Sequence, residues 1–153
     1  MITDNALKKK IIKTIISEDQ AIGIYQAELF WKRRPKDIFQ TILNDEISHE
    51  EQLIKFLYSR GWDFTLMQKS TMDFNRYSGW LIGSLLSTLP RRLCFFFHYM
   101  AEKQAANSYN DLMISIENIQ GMQWVNSSNI KIKIQEIIDN EKLHSEIFRA
   151  LIN

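Results

Sequence analysis

The chain has 153 residues, of which 45% are hydrophobic and 24% are charged, the composition of one globular domain spanning residues 1–153. Nineteen basic residues nearly balance eighteen acidic ones, and the net charge of +1 argues against binding nucleic acid through bulk charge. A single cysteine excludes an internal disulfide and argues against a cysteine-based zinc or iron–sulfur site. Five glycines and two prolines leave few turns, so we expect long helices.

The first predicted helix begins at Thr3 or Asp4, either of which is a suitable N-cap. Hydrophobic residues recur along it every three or four positions, which is the spacing of one helix face. The helix is expected to end near Arg34, because Pro35 cannot continue it. Glu18 lies in the middle of the hydrophobic face, where a charged residue is unexpected.

A second helix is predicted from about Lys36 to Gly61, since glycine commonly follows the last residue of a helix. Glu46 and His49 lie on its hydrophobic face. We expect a loop over residues 61–72 between this helix and the next.

The third predicted helix, roughly Phe74 to Leu89, is the least polar part of the chain and ends before a proline. Residues 77–90 carry no charge, but this run is shorter than the roughly 17–25 residues that a membrane-spanning helix needs. We expect the helix to lie on a membrane surface, with Arg91 and Arg92 against anionic head groups. A buried helix or a dimer interface is the alternative.

Two more helices are predicted in the last part of the chain. One covers about Arg91 to Ile116, and a turn region over 119–126 follows it. Ser127 or Ser128 is expected to cap a last helix that continues to the C-terminus. No convincing strand is predicted, so the expected fold class is all-α.

Four of the five predicted helices place a glutamate on the hydrophobic face, and two of these add a histidine three residues later. Residues three apart on a helix share a face, so such a glutamate and histidine can reach one metal ion. Buried carboxylates are costly unless they are paired or bind metal, and no Lys or Arg shares these faces. Solvated surface glutamates are the alternative. The candidate metal ligands are Glu18, Glu46, His49, Glu102, Glu141 and His144.

The charge and chemistry of these ligands favour two iron ions, with manganese as the less favoured alternative. Four carboxylates balance two dications, and the arrangement matches that of ferritin-like di-iron bundles. Tyr25 and Tyr109 each lie seven residues after a candidate ligand, two turns along the same helix face. They are candidate catalytic residues that contact ligands or gate substrate, or else packed aromatics. Cys94 is expected to be a core residue. His98 is expected to be a core histidine, with a supporting role in the pocket beside the metal as the alternative.

Several segments resemble the demethoxyubiquinone hydroxylase family of ferritin-like di-iron monooxygenases, over about Glu18 to Phe148. The similar segments are IGIYQ after Glu18, DEISH, GWLIGSLLSTLP, AEKQAANSYNDLM and DNEKLHSEIF. The resemblance implies a ferritin-like four-helix bundle with an additional apolar helix before the third core helix. It also implies a ligand assignment for each iron: Glu18 and His49 for one, Glu102 and His144 for the other, with Glu46 and Glu141 bridging.

The function implied by the resemblance is O₂-dependent hydroxylation of the ring of a demethoxyubiquinone-type precursor in ubiquinone biosynthesis. The implied partners are a quinone or quinol lipid, O₂ and an electron donor, and a homo-oligomer is compatible with this function. The expected location is the cytoplasmic side of the inner membrane, or the cytoplasm if the protein does not bind the membrane surface. The alternative is another ferritin-like di-metal protein, active in peroxide reduction or metal handling. A non-catalytic lipid- or quinone-binding relative is the other possibility.

Overall fold

The computed structural model describes residues 3–33, 35–118 and 127–153. These residues form five helices and no strand, so the all-α prediction is confirmed for the part of the chain described. The helices are α1 (Asp4–Phe30), α2 (Lys36–Ser59), α3 (Leu66–Leu86), α4 (Arg91–Glu117) and α5 (Ser127–Ile152). The predicted turn over 119–126 lies outside the described residues, as do the side chains of the two serines proposed to cap α5.

The ends of α1 and α2 follow the local signals in the sequence. α1 ends at Phe30, slightly before the predicted Arg34, and Lys32 adopts a left-handed backbone conformation with φ of 56°. α2 ends at Ser59, and Gly61 follows with φ of 70°, a conformation that glycine adopts without steric cost. The N–H of Gly61 donates to the carbonyl of Tyr58 and closes the last turn.

The third helix begins well before the predicted start at Phe74. α3 starts at Leu66, and the predicted loop over 61–72 is therefore mostly helical. Thr65 accepts a hydrogen bond from the backbone of Gln68, whose side chain accepts one from the backbone N–H of Thr65 in return. This capping box satisfies two backbone donors and stabilises a helix start that hydrophobic periodicity alone does not reveal.

The chain forms two compact units. We call Ile15–Cys94 the middle unit, and Met1–Thr14 together with Phe95–Asn153 the terminal unit. The middle unit contains α2, α3 and the larger part of α1, whereas the terminal unit contains α5 and most of α4.

In the middle unit, α3 packs against α1 through glycines. A side-chain carbon at Gly79 would clash with the backbone carbonyl of Gln20, so the two helix backbones are in direct contact there. Gly79 and Gly83 are the only buried residues of α3. The helix therefore lies on the surface of its unit, and the alternative of a buried apolar helix does not hold within this chain.

The terminal unit is held by an aromatic core and by one lysine. The rings of Phe95 and Phe148 lie 6.1 Å apart and join α4 to α5. Lys10 Nζ, at the start of the chain, donates to the carbonyl of Asp111 at 2.7 Å and to Ser115 Oγ at 2.8 Å. These bonds fix the first part of α1 on α4.

Across the residues that the structure describes, no helix has the length and hydropathy needed to cross a membrane.

Candidate metal centre

The middle unit brings three predicted ligands together. Glu18 extends from α1, and Glu46 and His49 extend from successive turns of α2. All three are at most 4% exposed, and one ligand atom from each lies within 4.8 Å of the others. We call Glu18, Glu46 and His49 the middle triad.

The terminal unit contains a second group of the same composition. Glu102 extends from α4, and Glu141 and His144 extend from α5. These side chains are also buried, and their ligand atoms lie within 4.8 Å of one another. His144 Nδ1 is 3.4 Å from Glu102 Oε2. We call Glu102, Glu141 and His144 the terminal triad.

The geometry of each triad is compatible with one metal ion. Carboxylate oxygens and imidazole nitrogens bind such ions at roughly 2.0–2.2 Å, so two ligands of one ion lie at most about 4.4 Å apart. Separations within 4.8 Å reach this range after small side-chain rotations. The two buried carboxylates of each triad also require positive charge nearby, which a dication supplies. Each group of buried glutamates and a histidine is thus able to hold a metal ion.

The two tyrosines proposed as catalytic residues are fully buried. The ring of Tyr25 packs at a tilt against Phe39, with centroids 5.9 Å apart, in the middle unit. Tyr109 is buried in the terminal unit. The contact between Tyr25 and Phe39 is typical of aromatic packing in a protein core. The catalytic role of both tyrosines stays a prediction.

His98 and Cys94 are core residues, as expected. The imidazole of His98 stacks on Phe148 with centroids 4.6 Å apart and an angle of 17° between the rings. Cys94 is buried in the middle unit, where its thiol donates to a carboxylate oxygen of Glu28 at 3.0 Å.

Three buried carboxylates were not identified from the sequence: Glu28, Asp19 and Glu50. Glu28 lies three residues after Tyr25 on the buried face of α1, whereas the neighbouring Leu29 is only partly buried. A hydrophobic face continued from Tyr25 to position 28 instead of position 29 would have identified Glu28 as buried. Asp19 and Glu50 directly follow the candidate ligands Glu18 and His49, and no periodic signal distinguishes them.

Asp19 and Glu50 share one cation. Arg76 Nη2 on α3 lies 2.6 Å from Asp19 Oδ1 and 2.9 Å from Glu50 Oε2. Burial raises the pKa of Asp19, and the charge of Arg76 opposes that rise. Burial, followed by the charge of Asp19, raises the pKa of Glu50 to about 7, again against the effect of Arg76.

No family model, curated protein or solved structure matches this chain.

Proposed function

We propose that the protein is a di-iron oxygenase in which the middle and terminal triads each hold one iron ion. The observation that carries this proposal is the repetition of one buried ligand set, two glutamates and a histidine, in both compact units. A buried ion-pair role would need a cation for each carboxylate, whereas a dication in each triad balances two. The bridging positions of Glu46 and Glu141 follow from the resemblance and stay a prediction.

Iron suits this donor set, because hard carboxylate oxygens and imidazole together favour iron or manganese over copper. A reduced iron pair would supply electrons to O₂ when bound. The contribution of the chain is to orient the ligands and exclude water, since all six side chains are buried. Manganese remains the less favoured metal.

The proposed substrate is the ring of a demethoxyubiquinone-type quinone, and an electron donor is the further partner. A quinone with a long apolar tail stays in the bilayer, so the enzyme has to bind the membrane surface. We place it at the cytoplasmic side of the inner membrane. The alternative roles are peroxide reduction, metal handling and lipid binding without catalysis.

The surface of the middle unit supports membrane association. Leu81, Ile82 and Leu85 on α3 are exposed hydrophobic residues, and Leu85 is 69% exposed. Phe30, the last residue of α1, and the following Trp31 extend this surface. The ring of Phe30 lies 6.0 Å from that of Trp80, and the indole N–H of Trp31 donates to Ser84 Oγ. Arg91 and Arg92 follow on the chain and are exposed. We call Phe30, Trp31, Leu81, Ile82, Leu85, Arg91 and Arg92 the apolar surface.

The test combines metal analysis with a reaction. Protein from iron-replete cells is expected to contain two iron ions per chain and, once reduced, to hydroxylate a demethoxyubiquinone analogue with O₂, detected by mass spectrometry. His144→Ala should lose the activity, whereas Glu51→Ala, at an exposed position on α2, should retain it. Protein without metal would overturn the proposal. Iron-bound protein that reduces peroxide and leaves the quinone unchanged would favour the peroxidase alternative.

A further inference from the structure

An ion network in the middle unit joins three helices. Arg76 on α3 reaches Asp19 on α1 at 2.6 Å and both carboxylate oxygens of Glu50 on α2, at 2.9 and 3.0 Å. Asp19 and Glu50 are buried, whereas the Arg76 side chain is 41% exposed and enters from the surface. One guanidinium therefore holds two carboxylates from two helices in a defined orientation.

Both carboxylates are next to candidate metal ligands. Asp19 follows Glu18, and Glu50 follows His49, so a backbone shift at Asp19 or Glu50 also moves the neighbouring candidate ligand. Holding Asp19 against Glu50 fixes the spacing of α1 and α2 at the height of the middle triad. Because the ligand atoms of Glu18 and His49 lie within 4.8 Å, a shift of one ångström there changes the fit to an ion.

The backbone of Arg76 is itself held in place. A side-chain carbon at Gly23 would clash with the carbonyl of Arg76, so the backbones of α1 and α3 touch at this position. Gln20 Nε2 also donates to Ser78 Oγ at 3.3 Å across the same pair of helices. The guanidinium thus extends from a backbone with little freedom to move relative to α1.

The terminal triad has different neighbours in the sequence. The residue after Glu102 is Lys103, and the residue after His144 is Ser145. Lys103 is exposed, and the hydroxyl of Ser145 donates to the carbonyl of Lys142 in its own helix. The two triads have the same composition, but the acidic pair that Arg76 holds is adjacent in sequence to the middle triad alone.

We infer that Arg76 is a positioning residue for the middle triad, which sets the metal affinity of that triad separately from that of the terminal triad. The inference rests on the proposed function to the extent that each triad holds a metal ion. It adds to that proposal a residue that contacts no metal and yet makes the two ions unequal. Groups that orient metal ligands typically change metal affinity by about 10–100-fold.

The experiment is an anaerobic Fe²⁺ titration of the full chain against a competing chelator, which measures two dissociation constants. In Arg76→Met, one constant is expected to rise by about 10–100-fold while the other stays within about twofold. Arg76→Lys, which keeps the charge but replaces the planar guanidinium by an ammonium group, should recover part of the affinity. Lys55→Met, which breaks the exposed pair between Lys55 and Glu51 on α2, serves as the matched control and should change neither constant.

A second variant guards against a folding defect. Arg76→Met leaves two buried carboxylates without their cation, so we combine it with Asp19→Asn and Glu50→Gln, which removes both charges. The triple variant should fold, as judged by circular dichroism, and one of its two dissociation constants should still be raised. A Co²⁺ absorption spectrum in which the bands of one of two ions change gives an independent readout.

The outcomes separate this inference from the proposed function. Wild-type protein that binds no Fe²⁺ overturns both. Wild-type protein that binds two ions, with unchanged constants in the Arg76 variants, overturns the positioning role alone. An equal loss of affinity for both ions in the folded triple variant also overturns it, because a general loss of stability would affect both triads alike.

Discussion

The thiol of Cys94 donates a hydrogen bond to Oε1 of Glu28 at 3.0 Å, and both side chains are fully shielded from solvent. Burial, followed by the charge of Glu28 and this hydrogen bond, raises the pKa of Cys94 to about 12. Arg33 acts in the opposite direction and does not offset the rise. The thiolate is the reactive form of cysteine. Cys94 is therefore protected from thiol reagents both by its raised pKa and by its burial.

Cys94 is expected to resist thiol reagents in the native protein at pH 8. With a pKa of about 12, on the order of one thiol in ten thousand is ionised at that pH. Unfolding should release the thiol, and the chain has a single cysteine, so a chromogenic disulfide reagent reports on this residue alone. The control is the same reaction in denaturant. Labelling of the native protein at the denatured rate would contradict the buried hydrogen bond.

Gly79→Ala is expected to destabilise the protein, because the added carbon would clash with the carbonyl of Gln20. Forcing extra atoms into a packed contact costs typically about 1–3 kcal/mol, and a chain of this length loses roughly 2–4 °C in melting temperature per kcal/mol. Thermal unfolding followed by circular dichroism measures the change. Ser70→Ala, at an exposed position in α3, should leave the melting temperature nearly unchanged. Equal melting temperatures for both variants would argue against close contact between α1 and α3.

The number of metal ions bound by each variant distinguishes a ligand of one ion from a ligand that bridges both. Glu18→Ala should leave one iron ion per chain, because Glu18 is assigned to a single ion. Glu46→Ala or Glu141→Ala should lose both ions, because each is assigned to bridge them. Elemental analysis of the purified variants measures the counts, with Glu51→Ala as the control at an exposed position. One ion retained in Glu46→Ala would contradict the bridging role while leaving two separate sites.

Removal of the metal should lower the melting temperature. Without metal, each triad contains two carboxylates in the protein interior, where unbalanced charge is costly. A metal that binds only the folded state stabilises it by about 2.7 kcal/mol at a concentration 100-fold above its dissociation constant. For one ion this corresponds to roughly 5–10 °C.

Thermal melts of the chelated protein, before and after iron is added back, measure this difference. Glu18→Ala with an intact terminal triad should show a smaller gain than the wild type. Equal melting temperatures for apo and reconstituted protein would count against buried metal sites.

Binding to anionic vesicles tests the apolar surface. Wild-type protein should float with vesicles that contain anionic lipid, because α3 has exposed hydrophobic residues and the exposed Arg91 and Arg92 follow it closely in the chain. Each arginine near such a surface contributes about 1 kcal/mol, so replacing both by serine should weaken binding roughly 30-fold. Leu85→Glu should abolish it. Flotation on a lipid gradient measures the bound fraction.

The matched control for Leu85→Glu is Leu66→Glu, at the opposite end of α3. Leu66 is also a highly exposed leucine, at 84%, and lies outside the apolar surface. The Leu66 variant should bind vesicles as the wild type does. Wild-type protein that stays in the soluble fraction would remove the membrane argument and most of the support for a quinone substrate.

The helices and the inward direction of the six candidate ligands follow from the sequence alone. Helix periodicity is local, so the residues that share a face with isoleucine and leucine are set by counting, and all six ligands are buried as that counting predicts. The early start of α3 was missed, although its signal is also local. Thr65 and Gln68 form a capping box around Leu66 and Met67, and these two hydrophobic residues are exposed and do not belong to a buried hydrophobic face.

Only the tertiary structure decides which polar groups meet between helices. Arg76 lies on a helix whose hydrophobic residues are mostly exposed, and nothing in its own helix identifies Asp19 and Glu50 as its partners. Cys94 and Glu28 are 66 residues apart in the chain. Such pairs depend on how closely two helix backbones approach and on their relative rotation. In the middle unit the glycines of α1 and α3 set that approach, and side-chain spacing within a single helix carries no information about it.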